Sequence, residues 1–206
     1  VTEPPRTTDR VVAAALRCLA RTGLRAMTVD DVAVDAGVSR ATLYRAFPGG
    51  RDTILSAVVD AELARLLAAV GQATEPATEL REALVAGLHA AAAWLRDHEV
   101  IERLMFDEPA TLLTHLEFEQ MDRTLAVVSA RLAPLLAPFV GDDLAERAGE
   151  WTTRVALSYL LFPADEVDLG EVGDVGWLVD RYVLPGVAAA GPPAVRDRET
   201  VSAKLS

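Results

Sequence analysis

Arg40, Tyr44 and Arg45 stand at i, i+4 and i+5 of a short helical stretch, with Ala41 beside them, so two guanidiniums and a phenol share one outward face. Such groups donate to phosphate oxygens and to the acceptor edges of bases. A helical hairpin with a merely solvated basic face would carry the same residues, so the surrounding elements decide. Thr28 and Asp31 form a Thr-x-x-Asp start that caps one helix. Gly37, which accepts a left-handed backbone, ends that helix, and Ser39 caps a second one over residues 40–47. Val32, Ala36, Val38, Leu43, Ala46 and Phe47 fall on the inward side, and Ala33 is small where the helices cross. Two short helices, a tight turn and a basic face on the second form a helix-turn-helix, whose second helix fits the major groove of DNA.

The string Gly37-Val38-Ser39-Arg40-Ala41-Thr42-Leu43-Tyr44-Arg45-Ala46-Phe47-Pro48 closely resembles the DNA-binding domain of the TetR family of transcriptional regulators. The resemblance runs from residue 9 to about 60. It implies an all-α protein with an N-terminal three-helix DNA-binding domain and a larger helical domain for effector binding and dimerisation. On the matching positions, Arg40 and Arg45 would read base edges, with Ala41 on the same face. Thr28, Ser39, Thr42, Tyr44 and Arg51 would hold phosphates. Where many relatives carry a lysine at the start of the fourth helix, this chain has Gly49-Gly50-Arg51, and Arg51 is assigned the phosphate role.

Periodicity supplies the other elements. Helix one is expected over 9–22, burying Val12, Leu16 and Leu19 and stopped by Gly23. Helix four is expected over 51–70, carrying Ile54, Leu55, Val58, Val59 and Leu63 out of the head before 71–76 break it. Further helices are expected over 78–97, 100–106, from Pro109 until Pro134 and Pro138 end or bend the chain, 142–162 and 172–189. That makes about nine helices and no strand. The domains divide as 1–56, 57–190 and a disordered tail, 191–206.

In the second domain Trp94, Met105, Phe106, Phe118, Met121 and Tyr159, with His98 and His115 as polar members, are the candidate lining of an effector pocket, though at helical spacing each also suits plain core. Trp151, Val155 and Phe162, with Val175, Leu178, Val179 and Tyr182, exceed what one side of each helix needs and are the candidate homodimer surface. Leu63, Leu66 and Leu67 on helix four are expected to face the pocket.

Net charge is −11, but residues 1–56 carry +2 and residues 57–206 carry −13, so an acidic body stands behind a mildly basic head. The single cysteine, Cys18, reads as a small core residue. No histidine pair has helical metal-site spacing, so no metal or cofactor is expected, and no nucleophile or phosphate-loop motif suggests an enzyme. Without a long apolar run or signal segment, a cytoplasmic protein is expected. Together these features predict a ligand-responsive, dimeric repressor that binds a near-palindromic operator on double-stranded DNA and is released by a small apolar or amphipathic molecule. The alternative is an all-α ligand-binding or interaction protein with a vestigial helix-turn-helix.

Overall fold

The structure, a computed structural model, describes residues 6–100, 118–161 and 164–189, with side chains except those of 118–124 and 161. The expected helix beyond Val100, the start of the next at Pro109, Met105, Phe106, His115, Phe162 and the tail 191–206 lie outside the described residues. Phe118 and Met121 are described in backbone only.

Helix α1 (Thr7–Ala26) leads into α2 (Val29–Ala36) and α3 (Arg40–Ala46). Gly23 interrupts α1 with φ 79° and ψ 173°, and one further turn follows before Met27. The buried side of α1 is Val11, Ala14, Ala15, Cys18 and Leu19, while Val12 and Leu16 are only partly buried. The expected stripe was therefore turned about one residue from the true one. Alanines at 13, 14 and 15 blur the phase, because they fit either face and let the neighbouring helices come close.

Helix α4 (Arg51–Thr74) is the long element joining head to body. It passes through Gly71, which lies beside Leu135 Cδ2, so the predicted break at 71–76 comes a turn too early. Packing against neighbours outweighs the roughly 1 kcal/mol by which glycine disfavours a helix. Helix α5 (Leu80–Arg96) packs along α4, and α6 (Phe118–Val140) pairs with α7 (Asp142–Leu161). Pro134 and Pro138 lie inside α6 rather than ending it. Both prolines and Ala130 are exposed, so a carbonyl released by a missing N–H can turn to water. The last described elements are α8 (Val172–Leu178), a π-helical turn (Val179–Val183) and α9 (Leu184–Ala188).

Two apolar clusters result. One joins α1, α2, α3 and the first turns of α4, with Leu43, Ile54 and Val32 fully buried, and also takes in Val100. The other gathers α5, α6, α7 and the last three elements around Leu178, Val179 and Val183. The fold is all-α, and among the described residues no strand forms beyond one isolated bridge between Ala164 and Val167.

Candidate nucleic-acid interface and inner cavity

The turn between α2 and α3 is built as its residues require. Thr28 Oγ1 accepts from Asp31 N at 3.2 Å and Ser39 Oγ accepts from Thr42 N at 3.1 Å, each capping a first turn. Gly37 is left-handed at φ 63° and ψ 39°, and the Val38 amide donates back to Ala33 O at 3.0 Å, closing the helix end. Arg10 fastens this turn from α1, donating through Nη2 to Ala36 O at 2.7 Å and Gly37 O at 3.1 Å. Nothing local in the sequence marks Arg10 for this role. Its long reach back to the glycine turn, 26 residues away, leaves no local pattern to find.

On α3 the side chains of Arg40, Ala41, Tyr44 and Arg45 are exposed, and Leu43 is fully buried beneath them. Arg45 makes no hydrogen bond or ion pair among the described residues. Arg40 meets Asp30 at 3.2 Å, with the two side chains 65% and 60% exposed. Such a bridge is worth little in water, so Arg40 can exchange Asp30 for a nucleic-acid partner. Its guanidinium also lies 5.8 Å from the centre of the Tyr44 ring, and that ring leans on Gly50, where a Cβ would stand 3.2 Å from Tyr44 Cε1. Gly50 has φ 61°, so the bend before α4 and the seat of Tyr44 both need a glycine. Thr28, Ser39 and Thr42 rim the same surface, Thr42 half-buried and paired with Ser39 at 2.8 Å.

Arg51 departs from expectation. Its Nε donates to Met27 O at 3.3 Å and its Nη2 donates to Leu24 O. The guanidinium is turned inward and ties α4 to the end of α1 instead of facing phosphate. What α4 offers outward at this end is its free amides.

Behind the head, α4, α5, α6 and α7 line a cavity of about 180 Å³. Ten leucines dominate its described walls, including the expected Leu63, Leu66 and Leu67 of α4, with Gly87 and Ala91 of α5 and Ala156 of α7 leaving the space. Of the predicted lining, Trp94, His98 and Tyr159 have described side chains, and none of these three lines the cavity. Trp94 meets His98 with tilted rings 4.6 Å apart, and His98 Nε2 pairs with Glu62 Oε2 at 2.8 Å. Tyr159 packs against the second cluster. On α5 the positions facing the cavity are 83, 84, 87, 88 and 91, and Trp94 and His98 fall off that line. Glu62, buried on α4 and also bonded by Arg65, is a residue that sequence reading passed over, since a lone acid on a helix looks solvated.

The predicted dimer residues divide. Val175, Leu178 and Val179 have no exposed surface and are core of a single chain, so they are not available to a partner. Val155 is partly buried against that core. Trp151, Tyr182 and, unforeseen, Trp177 and Val172 remain exposed. Trp151 Nε1 donates to Tyr182 O at 3.2 Å and the Trp177 and Tyr182 rings meet at 5.5 Å, forming one aromatic patch.

Comparison with known proteins bears on what this arrangement is for. Residues 11–58 match the bacterial regulatory proteins of the tetR family. Over 195 residues, 88% of each chain, the protein is 30% identical to Rv1255c, an uncharacterized HTH-type transcriptional regulator of Mycobacterium tuberculosis. The chain belongs to the TetR family of transcriptional regulators. A second relative, the uncharacterized HTH-type transcriptional regulator Mb2274c of Mycobacterium bovis, is 34% identical over 172 residues, 82% of this chain and 84% of its own. In fold, the chain is similar to the TetR family repressor AlkX from Dietzia sp., implicated in biodegradation of n-alkanes, with a TM-score of 0.66, 19% identity and coverage of 90% of this chain and all of that one. The matched segment spans α1 to the first turns of α4, the elements that build the α3 face.

Among the described residues no three acidic, histidine or cysteine side chains gather as a metal site. Among the described residues no helix is long and apolar enough to cross a membrane. Cys18 is buried, its Sγ 3.4 Å from Arg21 Nη2 and 3.8 Å from Asp35 Oδ2, and burial pushes its thiol above the ordinary range.

Proposed function

We propose that this TetR-family regulator is a cytoplasmic, dimeric repressor that binds a near-palindromic operator through α3 and is released by a small apolar or amphipathic molecule held in the inner cavity. The observation that carries the reading is the continuity of α4. One end, through Arg51 and Gly50, holds the seat of α3, and Leu63, Leu66 and Leu67 further along the same helix wall the cavity. A ligand that favours one placement of α4 changes the spacing of two paired heads, and it acts only by its difference in affinity between the two placements.

Arg40 and Arg45 read base edges, guanine being the best bidentate match, and Tyr44, Ser39, Thr42 and Thr28 with the α4 amides meet phosphates. A second copy covers the exposed aromatic patch of Trp151, Trp177 and Tyr182. That pairing sets the heads about 34 to 36 Å apart or somewhat more, on successive major-groove faces. Domain 1–56 is the DNA-binding unit and 57–190 the effector and dimerisation unit.

The test is a mobility-shift titration on DNA flanking the gene, at several salt concentrations. Arg45→Ala is expected to cost roughly 1 to 3 kcal/mol on the operator and little on random DNA. Equal losses on both DNAs, or a monomer in sedimentation at micromolar concentration, would contradict the reading.

A further inference from the structure

Arg40 is held by a neighbour that leaves its better recognition edge open. Asp30 stands in the first turn of α2 and Arg40 opens α3, and Asp30 Oδ2 accepts from Arg40 Nη1 at 3.2 Å. Among the described residues this is the one hydrogen bond that either side chain makes. Asp31, next along α2, is taken by the Thr28 hydroxyl at 2.5 Å. A guanidinium carries five donors in a planar fork. With Nη1 on Asp30, the opposite edge, Nε and Nη2, still presents two parallel N–H groups, the pattern that meets guanine O6 and N7. The same guanidinium lies 5.8 Å from the centre of the Tyr44 ring, within reach of a cation–π contact. The fork is thus located by α2 on one side and by an aromatic ring of α3 on another.

The bridge is too exposed to add much to folding, so Arg40 can give it up, but the geometry makes that unnecessary. Ordering a long side chain at an interface costs affinity, and a fork already in place costs less. We propose that Asp30 is a positioning residue for sequence recognition, keeping Nη1 while the Nε and Nη2 edge of Arg40 meets one guanine. This rests on the DNA-binding reading above. Charge alone predicts the opposite, since an acid beside the groove repels phosphates and its removal should strengthen binding to any DNA.

The test compares a duplex that the wild-type chain selects from a random-sequence pool with an unselected duplex of the same length, at several salt concentrations. Asp30→Ala is expected to weaken the selected duplex about three- to tenfold and to bind the unselected one as tightly as wild type or more so. Asp30→Asn, which keeps an acceptor without the charge, should fall between the two, and melting curves check that each variant folds. In an Arg40→Ala background, Asp30→Ala should cost nothing further on the selected duplex. Replacing its guanines one at a time by 7-deazaguanine, which lacks the N7 acceptor, should find one position where wild-type affinity drops and the Asp30→Ala loss largely disappears. Tighter binding of Asp30→Ala to both duplexes, or an undiminished loss in the Arg40→Ala background, would overturn the proposal and leave the DNA-binding reading standing. A wild type that selects no sequence from the pool would refute that reading and this proposal with it.

Discussion

Around Leu43, Val32 and Ile54 the side chains of the head close on one another, all three without exposed surface, whereas behind them the leucines of α4, α5, α6 and α7 surround about 180 Å³ of space. The head is filled by branched and aromatic side chains set between alanines at the helix crossings. The body has long, flexible leucines with glycine and alanine opposite, which leave room. The region that seats α3 is close-packed, and the region between α4, α5, α6 and α7 is not.

Truncation should expose this contrast most strongly. Leu43→Ala is expected to lose about 2 to 5 kcal/mol in denaturant unfolding and to abolish operator binding, while Leu132→Ala, at a wall already facing empty space, should fall at the low end, about 2 kcal/mol. Equal losses at the two sites would mean that the body is as tightly packed as the head. Next comes Gly37→Ala. Its left-handed backbone costs a side chain roughly 1 to 2 kcal/mol, and the new Cβ would lie 3.2 Å from Arg10 Nη2, so both stability and operator affinity should drop.

Thr152→Val is expected to do the reverse. Replacing a buried, unpartnered hydroxyl by a methyl should raise the stability of the ligand-free chain by about 1 kcal/mol, measured as a shift of the denaturation midpoint. The smallest effect concerns the outer surface of the body. Arg81 bonds both oxygens of Asp180, at 2.7 and 2.8 Å, and this holds the exposed Asp180 carboxyl below its ordinary range. A depressed carboxyl contributes stability above the ordinary carboxylate range and loses it as pH falls through the folded value. Melting temperatures of the wild type and Asp180→Asn should therefore differ slightly at neutral pH and converge in acid; a gap that widened in acid would rule the pair out as its source.

Local chemistry was the most legible part of the sequence. Thr28, Gly37 and Ser39 act within four residues of themselves, and their roles could be read without knowing what lay elsewhere. The exposed stripe on α3 followed from period alone. What failed needed distant partners. Arg51 is drawn to carbonyls 24 and 27 residues away, and a fork of donors on a helix start looks the same whether it faces phosphate or main chain. The apolar excess around Val175 and Val179 was real, but its cover is the chain's own α5 and α7. Aromatic residues drew the pocket prediction, although the void arises where side chains are small or flexible, as at Gly87 and Ala91.

Cys18, buried in the head and the only cysteine in the chain, gives this packed region a chemical clock of its own. Protonated and shielded, it reacts with a thiol reagent only when α1 lifts from α2, so the labelling rate measures local opening of the head separately from events around the cavity. A guest that slows that rate would be reporting, across the length of α4, that it has stiffened a region it never touches.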